Sequence, residues 1–145
     1  MAVDVLTEIE IGRPRSEVSA FAADPANASA WYKNIKSVVW ETPPPVVVGS
    51  RVRFVAQFLG RTLEYTYEVC EVEPGSRLMM STAEGPFPME TIYQWEDAGE
   101  GLTRMTLRNR GEPAGFAALS APLMTRAMRR ANEADLRRLK DLLEA

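Results

Sequence analysis

The stretch SRVRFVAQFLGRTLEYTYEVCEVE, residues 50–73, decides the fold because apolar and polar side chains alternate on both sides of one glycine. This period of two predicts one β-strand over 50–59 and another over 62–73. Gly60-Arg61 predicts a two-residue hairpin turn with glycine at its first central position. The apolar faces carry Val52, Phe54, Ala56 and Phe58 on the first strand and Leu63, Tyr65, Tyr67 and Val69 on the second.

The same alternation continues on both sides of this hairpin. Further strands are predicted over 3–11, 35–41, 77–82, 89–97 and 102–110. Consecutive strands joined by short turns pair antiparallel, so the pattern over 50–110 predicts a continuous meander. The alternation slips by one residue near Cys70, which predicts a β-bulge around a structural cysteine. Two short helices are predicted between the first two strands, with Pro14 at a helix start and Asp24-Pro25 as a break.

A helical pattern closes the chain from about Phe116 to Leu143, and Pro122 either kinks or restarts it. Its stripe recurs every three or four residues, at Met124, Met128, Ala131, Asp135, Leu139 and Leu142. No other predicted element is long enough to cover the concave apolar face of a strongly curved sheet. The sequence therefore predicts a single α+β domain over 1–145, in which a seven-stranded curved antiparallel sheet wraps around a long C-terminal helix.

The composition excludes several classes of chemistry. The chain has no histidine and one cysteine, which removes Ser-His-Asp and Cys-His catalysis, histidine metal sites and an internal disulfide. No acidic cluster has the spacing of a metal site, so we expect no metal and no cofactor. The net charge of −3, with acids interleaved among the arginines of the last helix, predicts no nucleic-acid partner.

The N-terminal pattern predicts no signal peptide. The chain passes straight into strand alternation, without a cationic segment followed by an apolar run, and no apolar stretch approaches the roughly 18 residues of a membrane span. We therefore expect a cytoplasmic protein without stable membrane insertion. The pattern is also compatible with a homodimer.

Four stretches carry a resemblance to a known group of proteins. They are ADPANASAWYKNI (23–35), YEVCEVEPGSRLMM (67–80), YQWEDAGEGLTRMTLR (93–108) and DLRRLKDLLE (135–144). With them the chain resembles the helix-grip (SRPBCC) superfamily of START-type, polyketide cyclase/dehydrase-like and coenzyme Q-binding-like proteins. Leu102 departs from the family pattern, which usually has a second small residue before Thr-Arg. The resemblance spans nearly the whole chain and is specific for the fold, because these stretches are architectural.

The resemblance implies a cavity between sheet and last helix, with an apolar ligand inside. Its mouth would be formed by Trp31–Asn34, the Gly60-Arg61 hairpin, the EGPFP turn (84–88) and GEPAG (111–115). Phe87, held between two prolines, is then expected at the rim, where its truncation would cost less than about 1 kcal/mol of stability. The expected ligand-binding residues are Trp31, Phe54, Phe58, Tyr65, Tyr67, Phe87, Thr91, Tyr93, Asn109, Met124 and Met128.

Polar residues interrupt the inward-facing runs. A buried unpaired carboxylate is costly, so we expect Asp135 to pair with Arg138 or Arg104, to tilt into solvent, or to serve a ligand or a reaction with a raised pKa. Thr91 and Asn109 are likewise candidates for ligand contacts. The aromatic face, which also includes Trp95, predicts either an apolar pocket with a few polar groups or a filled core.

Three hypotheses of function remain open at this point. The first is a binding module for a small, mostly apolar molecule: a lipid, an isoprenoid, a polyketide-like or an aromatic compound. The second is a cofactor-independent cyclase or dehydratase, with Asp135 or Glu64 as base and Tyr65, Tyr67 or Tyr93 as proton donor. The third is an interaction or stress-related domain with a filled core.

Overall fold

The computed structural model describes residues 3–112 and 121–145 and confirms the predicted fold class and order of elements. The strands are β1 (Val3–Ile11), β2 (Ile35–Trp40), β3 (Arg51–Phe58), β4 (Arg61–Glu73), β5 (Arg77–Glu84), β6 (Met89–Gly99) and β7 (Leu102–Gly111). The helices are α1 (Arg15–Ala22), a 3₁₀ turn (Pro25–Asn27), α2 (Ala28–Trp31) and α3 (Ala121–Glu144). The predicted helix start at Phe116 lies outside the described residues.

All seven strands form one antiparallel sheet in the order β1-β7-β6-β5-β4-β3-β2. The meander predicted over 50–110 is confirmed, and β1 adds to its far edge by pairing along β7. Burial alternates along both β1 and β7, so each strand turns one row of side chains toward the core and the other toward solvent. The apolar row therefore fixes the register.

Two details of the β3–β4–β5 region test the sequence predictions. The bulge near Cys70 is confirmed, because the β4–β5 register shifts between Val69 and Glu71. The predicted turn is wrong by one residue: Phe58 pairs with Arg61, so Leu59 and Gly60 are the central residues. Both have positive φ, 52° and 76°, as a type I′ turn requires. The twist of the strands thus forces a leucine into a conformation that glycine adopts more readily.

Helix α3 packs across the sheet and chiefly against β1. Its buried residues are Met124, Asn132, Asp135, Leu136 and Leu139. The predicted stripe is wrong at Leu142, which is 46% exposed, because the buried row advances by four residues after Leu139 and reaches Leu143 instead. No helix within residues 3–112 and 121–145 is both long and apolar enough to cross a membrane.

Candidate functional site

A cavity of about 120 Å³ lies between the concave face of the sheet, α3 and the segment that contains α1 and α2. Every predicted ligand-binding residue except Trp31 lines it. The alternation of β3, β4, β6 and β7 explains this, since every second side chain of these strands faces α3. The predicted polar residue Asp135 also lines the cavity, from the helix side.

A chain of hydrogen bonds crosses the sheet wall of the cavity. The Thr91 hydroxyl donates to Asn109 Oδ1 at 2.7 Å and lies 2.8 Å from the Tyr67 hydroxyl. Because the threonine hydrogen is engaged with Asn109, Tyr67 must be the donor to Thr91. Burial raises the pKa of Tyr67 to about 12, although the hydrogen bond to Thr91 opposes the shift. These three polar groups satisfy one another in the apolar interior.

A second polar pair joins the short-helix segment to the sheet. The Tyr32 and Tyr93 hydroxyls lie 2.6 Å apart, so one of them donates to the other. Burial is the main reason that the pKa values of both phenols lie well above their ordinary value. Since a single hydrogen closes this pair, the second hydroxyl hydrogen is left to bond elsewhere.

Tyr65 differs from its neighbours. Its ring stacks on Phe54 with centroids 5.6 Å apart, yet its hydroxyl makes no hydrogen bond to the described part of the chain. Burial, and next the neighbouring Tyr67, raise the pKa of the Tyr65 phenol well above its usual range. At neutral pH the group is therefore an uncharged donor on the cavity wall.

Asp135 is buried on α3, and its partner is the main chain rather than an arginine. The Lys33 backbone N–H donates to Asp135 Oδ1 at 3.1 Å. Burial raises the pKa of Asp135 from 3.8 to about 6, opposed by that hydrogen bond and by the charges of Arg138 and Lys33. The predicted pairing with Arg104 is wrong, because Arg104 binds Glu10 and Glu96 on the outer face of the sheet. Arg138 acts on Asp135 through its charge alone.

This raised pKa predicts a specific pH dependence of stability. A carboxyl whose pKa is raised by folding contributes stability while it is protonated. This contribution is lost as the pH rises through the folded-state pKa. Asp135→Asn carries no proton to lose, so its stability relative to the wild type should rise by about 2 kcal/mol between pH about 4 and pH about 7. Urea unfolding of both proteins across this range measures the difference. A difference that stays constant or falls with pH contradicts the placement of Asp135.

Three predicted residues do not line the cavity. Trp31 is fully buried behind it, with its ring 4.1 Å from Tyr32 and 5.8 Å from Tyr93, so it supports the wall rather than forming it. Glu64 is exposed on the outer face of β4, where it pairs with Arg53, and so lies outside the cavity. Trp95 packs beside Tyr93 and borders a separate groove between α1 and the β4–β5 turn.

Phe87 lines the cavity, but the expectation that it lies exposed at a rim is wrong. It is 7% exposed and belongs to a hydrophobic cluster with Val3, Val5, Leu63 and Met124. The Thr82 hydroxyl closes the turn by accepting from the Met89 N–H at 2.8 Å and donating to the Met89 carbonyl at 3.0 Å. The turn is thereby folded inward, and its phenylalanine reaches the core.

The cavity also contains polar residues that were not predicted from the sequence. Asn132 is 4% exposed, and its Nδ2 has no hydrogen-bond partner within the described ranges. Tyr32 and Asp24 line the cavity as well. Helical spacing alone places Asn132 on the inward-facing stripe, because it lies four residues after Met128 and three before Asp135. No group of three or more acidic or cysteine side chains within 3–112 and 121–145 could hold a metal ion.

Comparison with known proteins matches this architecture to one family. Residues 2–144 match the family model described as polyketide cyclase/dehydrase and lipid transport. A search of curated proteins finds no match.

Several solved structures share the fold. The protein TTHA0849 from Thermus thermophilus is 24% identical, with 95% of this chain and 94% of that chain covered and a TM-score of 0.80. A START superfamily protein from Mycobacterium smegmatis is 14% identical over 97% of both chains, with a TM-score of 0.83. The Zhui aromatase/cyclase from Streptomyces sp. R1128 is 16% identical over 97% of this chain and 93% of that chain, with a TM-score of 0.77. At these identities the likeness shows the fold.

Proposed function

Because the chain belongs to the polyketide cyclase/dehydrase and lipid transport family, we propose that it binds a small, mostly apolar organic molecule in the cavity between the sheet and α3. The candidate classes are lipids, isoprenoids, polyketide-like compounds and aromatic compounds. The observation that carries the proposal is the cavity itself, which the core side chains leave open and which aromatic residues and methionines surround. Such a lining, with a few polar groups, is typical of ligand sites.

The dimensions of the cavity limit what it holds. A cavity of about 150 Å³ in another protein accommodates benzene, so about 120 Å³ corresponds to roughly one aromatic ring or a short branched chain. Four methionines, Met80, Met89, Met124 and Met128, line it. Since methionine side chains have three rotatable bonds, the walls can adapt to a larger ligand. The cavity argues against the hypothesis of a domain with a filled core.

A second candidate function is supported by the surroundings of Asp135. A dehydratase removes a proton from the carbon next to a carbonyl and protonates the departing hydroxyl, so that water leaves and a conjugated double bond forms. Asp135, whose pKa of about 6 is suited to accepting a proton near neutral pH, lines the cavity together with the Tyr32–Tyr93 pair, which has one hydroxyl hydrogen to spare. A solved relative that is named an aromatase/cyclase makes this chemistry a natural alternative.

Two experiments separate binding from catalysis. We expect native mass spectrometry of protein purified without denaturation to show a bound small molecule, released on unfolding, and Asn132→Trp, which fills the cavity, to lack it. For the second candidate, an aromatic β-hydroxyketone is incubated with the protein. Recovery of the unchanged compound supports a binding module, whereas loss of one water that depends on Asp135 supports the dehydratase. Absence of any bound molecule, both from the purified protein and after incubation, contradicts both proposals.

A further inference from the structure

The strongest unexplained polar group in the cavity is the side-chain amide of Asn132. It is almost completely buried on α3, faces a cavity that it helps to line, and leaves Nδ2 without an acceptor in the described part of the chain. A buried donor without a partner is destabilising, and such groups are normally satisfied. A ligand oxygen in the cavity would supply the missing acceptor.

Other cavity donors point in the same direction. The Tyr65 hydroxyl has no acceptor among the described residues, and the Tyr32–Tyr93 pair leaves one hydroxyl hydrogen over. Together with the Asn132 amide, these free donors suit a ligand that accepts hydrogen bonds.

The charges of the cavity set a second condition. Two carboxyl groups, those of Asp24 and Asp135, line it, and no lysine or arginine of the described ranges does. Residues 113–120 contain no basic residue, and the chain has no histidine. Around Asp135 the charged groups are Lys33 and Arg138, whose side chains are exposed to solvent, and the neighbouring phenols are those of Tyr32 and Tyr93. An anionic ligand group would be buried without a cation, which is strongly unfavourable.

We propose that the cavity selects an uncharged apolar molecule whose carbonyl oxygen accepts a hydrogen bond from Asn132, and that it rejects carboxylates. This specificity rests on the proposed binding function. Free fatty acids and aromatic acids are therefore poor ligands, whereas ketones, quinones and esters of similar size are good ones. A protonated amine would instead meet the carboxyl groups of Asp24 and Asp135, so an amine serves as the control of opposite charge to the acids.

Four single-ring compounds of similar size test the proposal: acetophenone, benzoate, ethylbenzene and phenylethylamine. Ligand-observed NMR titrations at pH about 8, where benzoate and Asp135 are ionised, give their affinities, and displacement by acetophenone confirms a shared site. We expect acetophenone to bind at least about tenfold more tightly than benzoate. Equal affinity for benzoate and acetophenone, or tighter binding of benzoate than of the amine, overturns the proposal. Binding of none of the four overturns the proposed function itself.

Two variants assign the effect to residues. Asn132→Leu should keep the fold, since it replaces an unpartnered buried amide by an apolar group of similar size. It should lower the affinity ratio of acetophenone to ethylbenzene by about tenfold, with ethylbenzene as the internal control. Asp135→Asn should reduce the difference in binding affinity between benzoate and acetophenone. If Asn132→Leu leaves the affinity ratio of acetophenone to ethylbenzene unchanged, the amide does not bind the carbonyl. If Asp135→Asn leaves the difference in affinity between acetophenone and benzoate unchanged, the charge of Asp135 does not exclude the acid.

Discussion

Phe87→Ala is expected to lower the free energy of unfolding by about 3–5 kcal/mol, the range for a buried phenylalanine. The side chain is 7% exposed and packs with Leu63, Met124 and two valines of β1. Removing the ring takes contacts from three elements at once, and the closed turn restricts how far the backbone can move to fill the void. The loss is therefore the transfer free energy of the ring plus a term for the added cavity.

Urea unfolding of the variant measures this loss, and two controls define it. Phe87→Leu keeps most of the apolar volume and should cost roughly 1–2 kcal/mol. Leu59→Ala truncates an exposed apolar side chain in the neighbouring β3–β4 turn and should cost less than about 0.5 kcal/mol. If Phe87→Ala behaves like Leu59→Ala, the EGPFP turn is open and its phenylalanine is not part of the core.

Trp31→Ala should have an effect of similar size, about 3–5 kcal/mol, for a different reason. Trp31 is fully buried and packs against the rings of Tyr32 and Tyr93. Its loss removes the support behind a cavity wall, and the adjacent Lys33 N–H that bonds to Asp135 should lose its fixed position. We therefore expect both a less stable protein and a pKa of Asp135 closer to that of a solvated carboxyl.

Trp31→Phe is the matched control. It keeps an aromatic ring and removes the indole Nε1, which has no hydrogen-bond partner among the described residues, so it should cost roughly half as much as the alanine variant. Thermal or urea unfolding gives the stability, and carboxyl NMR titration gives the pKa of Asp135. An unchanged pKa in Trp31→Ala, measured on folded protein, shows that Trp31 does not position the Lys33 backbone.

The fold could be predicted from sequence because its information is local. Alternation over strands such as 50–59 and 102–110 specifies both the strand and its buried face, and short turns specify the antiparallel neighbours. The same local information places most of the cavity lining. It also places Glu64 on the outer row of β4, opposite the row that carries Tyr65 and Tyr67, and therefore on the side away from the cavity.

The remaining site features depend on contacts between distant residues. Asp135 lies 102 residues from the Lys33 N–H that it accepts, and no periodicity encodes that meeting. Phe87 lies between two prolines, which suggests exposure, yet the Thr82 hydroxyl and a close approach to the β4 backbone fold the turn inward. At Gly85 an added Cβ would lie 2.9 Å from the Tyr65 Cβ, so this approach depends on glycine. Sequence patterns report preferences for turns but not the direction in which a turn folds.

The pairing of β1 with β7 has a consequence for how the protein is made. Thr7 bonds to the Leu107 carbonyl across a separation of 100 residues, and the ladder joins the two strands along their length. During synthesis β1 emerges first, but its partner is the last strand of the sheet to be translated. Its apolar row therefore stays without a sheet neighbour while β2 to β6 are made, which delays completion of the core and gives the fold a high contact order. For that interval β1 lacks the partner strand along which it pairs in the finished sheet.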